Sequence, residues 1–117
     1  MLHLCDNPLQ NLAGLAQFRF LKELRLQHCD LERADDIREA TSLTALHLSN
    51  NHLKTLDFCQ GLRYLTFLDA SRNELQSPSP EAFSSLTNIQ ELRLGEFPIF
   101  FFLSFAFSLF CVVLMLF

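Results

Sequence analysis

The chain holds three glycines, one tyrosine and no tryptophan in 117 residues. Gly14, Gly61 and Gly95 stand far apart, so no glycine-rich loop can cradle a phosphate. There is no G-x-S-x-G turn to raise a nucleophilic serine. Cys5, Cys29, Cys59 and Cys111 form no C-x-C or C-x-x-C pair, the compact spacings that metal and redox sites use. His3, His28, His47 and His52 have no compact ligand spacing either. No metal, cofactor or catalytic residue is therefore expected. Basic residues are outnumbered nine to thirteen, for a net charge of −4, which leaves no electrostatic case for nucleic acid. The start of the chain lacks a charged and apolar signal peptide.

What is present is a repeat. Leu43, Leu46, Leu48, Asn51 and Leu53 spell L-x-x-L-x-L-x-x-N-x-L. Leu21, Leu24, Leu26, Cys29 and Leu31 give a copy before it, and Leu65, Leu68, Ala70, Asn73 and Leu75 one after it. Leu2, Leu4, Asn7 and Leu9 open the chain with a partial copy; Ile89, Leu92 and Leu94 begin a decayed one, with Phe97 and Ile99 where Asn and Leu belong. One frame position falls at residues 4, 26, 48, 70 and 94, in steps of 22, 22, 22 and 24. The alternating leucines point to one face of a short strand, and the residues between them point to the other. The Asn turns the chain, and its amide can bond backbone groups that have left the sheet. No unit can bury its own apolar face, so each needs neighbours.

Between strands the apolar residues recur every third position. They run Leu9, Leu12, Leu15, Phe18, Leu21; then Leu31, Ala34, Ile37, Ala40, Leu43; then Leu53, Leu56, Cys59, Leu62, Leu65. That step fits short 3-10 or helical turns. Together these features resemble the leucine-rich repeat, and in particular its 22-residue subclass, named for a regulatory subunit of a nuclear protein phosphatase. The resemblance covers roughly residues 1–95. It implies an α/β right-handed solenoid, with a parallel sheet on the concave face and short 3-10 or helical turns on the convex face. It also implies an intracellular setting and protein partners. The fourth crossover is two residues longer and resembles the 24-residue form: Ser79 can cap a helix with Pro80 at its first position, and Phe83 and Leu86 then face the core. Cys29 and Cys59 occupy core positions and read as buried, reduced thiols, which favours a cytoplasmic array.

Two segments follow from composition: an array over residues 1–96, uncapped at its start, and an apolar tail over residues 97–117. Eight of the thirteen phenylalanines lie at or after Phe97, and no charge lies beyond Glu96. Twenty-one residues of helix reach about 30 Å, enough to cross a bilayer core. No Lys or Arg flanks the run and no Trp or Tyr belts it. Its residue types also share T-rich codons, so a translated non-coding stretch would look the same.

Outward strand positions line the concave sheet. The centre row is His3, Arg25, His47, Asp69 and Arg93. Glu23, Ala45, Phe67 and Glu91 run beside it, and Asp6, His28, Asn50, Arg72 and Glu96 lie along the far flank. Phe67 is the large apolar residue of this surface, with Arg and Asp expected as its cross-strand neighbours. An aromatic beside arginines is the usual composition of a binding hot spot. Arg25, His47, Phe67, Asp69, Arg72 and Arg93 are the expected partner-binding residues. The expected function is a non-enzymatic protein-interaction module. The alternatives are a single-pass, membrane-anchored leucine-rich repeat protein held through residues 97–117, and a truncated product of a longer one.

Overall fold

The computed structural model describes residues 1–9, 12–76 and 83–95. Within them the strands are β1 (Leu2–His3), β2 (Glu23–Arg25), β3 (Ala45–His47), β4 (Phe67–Asp69) and β5 (Glu91–Arg93). They form one parallel sheet in the order β1-β2-β3-β4-β5. Each strand pairs with its neighbour exactly one repeat away, so Leu24 lies beside Leu46, Leu46 beside Leu68 and Leu68 beside Leu92. The array is a solenoid with an α/β character, not a closed barrel. The register is set by the leucines: a slip by one residue would turn them out of the core.

The strands end after two or three residues because the chain then turns through the left-handed region. Asp6, His28, Asn50 and Arg72 sit at equivalent positions with φ of 63°, 56°, 59° and 54°. Just beyond this turn stands the Asn. The Asn51 amide donates to the carbonyls of Leu26 and Leu48, both at 2.9 Å. Its oxygen accepts from the backbone N–H of Cys29 at 2.9 Å and of Leu31 at 3.1 Å. Asn73 repeats the pattern, donating to Leu48 and Ala70 and accepting from Leu53. Cys29 fills the same slot in its repeat. Its thiol bonds the Leu4 carbonyl at 3.1 Å, the inter-repeat contact that the Asn amides make.

A thiol offers no strong acceptor, and the backbone adjusts to that. Leu9 N–H, whose counterparts Leu31 and Leu53 bond an Asn oxygen, bonds the backbone carbonyl of Cys29 at 2.9 Å. Asp30, immediately after Cys29, takes a φ of 54°. The equivalent residues His52 and Glu74 do not have a positive φ.

Opposite the sheet run the 3-10 turns Leu15–Gln17, Asp35–Glu39 and Asp57–Cys59. The three-residue periodicity holds through the second and third repeats: Leu31, Ala34, Ile37, Ala40, Leu43, Leu53, Leu56, Cys59, Leu62 and Leu65 are all buried. The first crossover departs from it, because Phe18 is 49% exposed. Among the described residues no repeat lies on its outer side to cover it. Phe58, outside the three-residue frame, is buried instead. Phe83 and Leu86 are in the core as expected, whereas the helix expected at Ser79 and Pro80 lies outside the described residues. So do Phe97, Ile99 and the whole apolar segment 97–117. Among the described residues no helix is long and apolar enough to cross a membrane.

Candidate interaction surface

Strand pairing brings the expected residues into two adjacent rows. His3, Arg25, His47, Asp69 and Arg93 are successive cross-strand neighbours, and so are Glu23, Ala45, Phe67 and Glu91. Neighbouring strands in a sheet lie about 4.8 Å apart, so each row is a line of side chains within reach of one another.

Glu23 is the hub of the first half, a role the sequence reading did not give it. Its Oε1 accepts from Arg25 Nε at 2.7 Å and lies 3.2 Å from His47 Nε2 on the next strand. The hydrogen bond from Arg25 holds the Glu23 carboxyl below its usual range, against a smaller opposing effect of burial. His47 is only 18% exposed. Burial pushes its imidazole below its ordinary pKa and the Arg25 charge adds to this, while Glu23 pulls the other way. At neutral pH the ring is therefore uncharged.

His47 carries the contact onward. Its ring lies 4.7 Å from the Phe67 ring, tilted by 36°. On the other side of Phe67 stands Arg93, whose guanidinium carbon is 5.4 Å from the ring centroid. Arg93 Nε donates in turn to Glu91 at 2.6 Å. Arg25, Glu23, His47, Phe67, Arg93 and Glu91 thus form one continuous chain of contacts across β2 to β5. A histidine and an arginine are the neighbours of Phe67. The expected Asp does not join them: Asp69 accepts from Ser71 N–H at 3.0 Å and from the Ser71 hydroxyl at 2.6 Å. The flanking pair leaves Phe67 half-buried. Arg72 stands apart at the turn, exposed and in the left-handed region.

Such a surface suits binding. The carboxylates of Glu23 and Glu91 are already satisfied by arginines, and Phe67 has His47 and Arg93 against its ring. Aromatic pairing and cation–π contacts of this kind contribute roughly 0.5–1.5 kcal/mol each. A ring so fixed loses little further freedom when a partner covers it.

An open parallel sheet built from 22-residue steps and backed by single 3-10 turns defines a repeat solenoid. Comparison with known proteins specifies the kind. The leucine rich repeat family model matches residues 41–96. The chain is 38% identical over 97 residues to the platelet glycoprotein Ib alpha chain of Mus musculus, covering 80% of this chain and 13% of that protein. It is 35% identical over 96 residues to Toll-like receptor 9 of Sus scrofa, covering 74% of this chain and 9% of that one. The solved structure of an internalin from Listeria monocytogenes superimposes with a TM-score of 0.64 at 15% identity, covering 98% of this chain and 41% of the other, and so shares the fold. The chain is a leucine-rich repeat protein. It spans only a small fraction of the length of either sequence relative.

Proposed function

We propose that the array is a non-enzymatic protein-interaction module that presents its concave sheet to a protein partner. The observation that carries this reading is the unbroken contact chain from Arg25 to Glu91, centred on the clamped ring of Phe67. Arg25, His47, Phe67, Asp69, Arg72 and Arg93 are the partner-facing residues, with Phe67 and Arg93 as the energetic centre and Arg72 at the rim. Two sequence relatives, a platelet glycoprotein chain and a receptor, are proteins whose names fit a recognition role.

The test is affinity capture with the chain carrying Phe67→Ala and Arg25→Ala together, beside the unaltered chain. Proteins held by the unaltered chain and lost by the double variant are the expected result. Unchanged capture would overturn the assignment of this face.

The array is proposed to work in the cytoplasm. Supporting this, Cys5, Cys29 and Cys59 are free thiols and two of them are buried. The chain also holds no Asn-X-Ser/Thr glycosylation acceptor. A second reading, a membrane-anchored array, is favoured by the uncharged run of residues 97–117. Carbonate extraction of membranes from cells expressing the whole chain separates them: a spanning segment stays in the pellet, and an unanchored array goes to the supernatant.

A further inference from the structure

Large apolar groups are also exposed away from the concave sheet. Phe20 is 87% exposed and Tyr64 63%. They occupy the same frame position two repeats apart, each three residues before the start of its strand. The intervening repeat has Ser42 there, and the repeat after Tyr64 has Asn88. These two polar residues turn back onto the preceding rung: the Ser42 hydroxyl donates to the Arg19 carbonyl, and the Asn88 amide donates to the Arg63 carbonyl at 2.7 Å. The edge therefore alternates. Arg19–Phe20 and Arg63–Tyr64 stand out in solvent, and the repeat that follows each ties its backbone down.

Charge on this edge runs against that of the chain. Residues 17–22, 39–44 and 61–66 carry Arg19, Lys22 and Arg63 against the one carboxylate of Glu39, whereas the whole chain is at −4. Neither Arg19 nor Arg63 forms an ion pair among the described residues.

Spacing restricts the partner further. Two strand steps place Phe20 and Tyr64 about 9.6 Å apart along the array. Three residues of a polyproline II helix cover about 9.3 Å and bring the side chain back to the same face, whereas residues three apart on an extended strand face opposite ways. We propose that this edge is a second docking surface for an acidic polyproline II segment of a partner protein with two apolar side chains three residues apart. The apolar groups cover Phe20 and Tyr64, and the carboxylates meet Arg19 and Arg63. The surface is separate from the concave sheet and does not depend on the reading given to that sheet.

The probe is an array of synthetic twelve-residue peptides of Asp, Glu, Pro and two Leu, with the Leu spacing varied from one to six. A parallel set has the acids replaced by Lys. The whole chain is expected to bind the acidic peptides best at a spacing of three and to ignore the Lys set. Phe20→Ala and Tyr64→Ala alter exposed side chains, so the fold is retained; each is expected to weaken binding about fivefold or more. Arg19→Glu with Arg63→Glu should abolish the preference for acids, and Phe67→Ala should change nothing. Absence of binding, indifference to spacing, or indifference to the Phe20 and Tyr64 changes would overturn the proposal. Loss of binding on Phe67→Ala would move the peptide to the concave sheet and overturn it equally.

Discussion

The side-chain amide of Asn51 reaches back 25 residues to donate to the carbonyl of Leu26 at 2.9 Å. That bond closes one repeat onto the next where the sheet's own ladder stops. Asn51 is 4% exposed, and the Leu26 carbonyl and the N–H groups of Cys29 and Leu31 that it satisfies lie at a buried site. Leaving a buried donor or acceptor unsatisfied costs about 1–3 kcal/mol. Asn51→Ala is expected to cost about 3 kcal/mol or more, since the Leu26 carbonyl and the N–H groups of Cys29 and Leu31 depend on it. Asn73 donates in the same way but accepts from Leu53 N–H in a partly exposed setting, and should cost less. Cys29→Ala, which removes only a weak donor, should cost least. Urea unfolding of the three variants checks the ranking; a Cys29→Ala loss above that of Asn51→Ala would contradict it.

Much of this was legible in the sequence, because the repeat is a statement about packing. Leu24, Leu46, Leu68 and Leu92 are buried and in register, as the shared frame requires. The frame also put Arg25, His47, Asp69 and Arg93 in one row. It could not say where the side chains would turn. Asp69 had a hydroxyl two residues away and took it, and His47, with one nitrogen beside Glu23, tilted its ring against Phe67. Phe18 followed the apolar period and still came out exposed, since the period describes the repeat and not its neighbours. The exposure of Phe20 and Tyr64 could have been found from their common frame position. Aromatic residues at a surface position, two repeats apart, were the available signal.

The Cys29 repeat offers a direct test of what the Asn slot demands. Its thiol reproduces the donor half of the Asn contacts, and the missing acceptor leaves Leu9 N–H bonded to a backbone carbonyl. Asp30 then takes a left-handed φ, which costs a residue with a side chain roughly 1 kcal/mol. Cys29→Asn restores both halves and should release Asp30 from that conformation. The variant is expected to be more stable than the unaltered chain by about 1 kcal/mol in urea unfolding. A loss of stability would mean that the pocket is fitted to sulfur.

Burial also governs the chemistry of the thiols. It pushes the Cys29 thiol above its ordinary pKa, and the Cys59 thiol, wholly enclosed, much further. The thiolate is the reactive form, so both should resist alkylation in the folded protein. Cys5 is only partly covered, its thiol donating to Gln27 at 2.8 Å. Among the thiols of the described residues, iodoacetamide at pH 8 followed by peptide mass spectrometry should label Cys5 first, with Cys29 and Cys59 labelled only when denaturant is added. Early labelling at Cys59 would show that the centre of the array opens readily.

The concave network should give the array a pH dependence with a definite sign. An unfolded His47 titrates near 6.5, and the folded ring titrates lower because burial and Arg25 disfavour its charged form. Below about pH 6.5 the unfolded chain takes up a proton that the folded chain does not. Stability is therefore full above that pH and is lost as pH falls through the folded value. Glu23, whose folded pKa is also lowered, acts in the same direction further down, below its ordinary value of 4.5. His47→Gln removes the first effect and keeps a polar planar group beside Phe67. Between pH 7 and 5 the unaltered chain should lose more stability than His47→Gln, as measured by urea unfolding at each pH. Comparing slopes between the two chains cancels the titration of the other histidines. Equal slopes, or a steeper loss in the variant, would show that the buried face of His47 opens to water before it protonates.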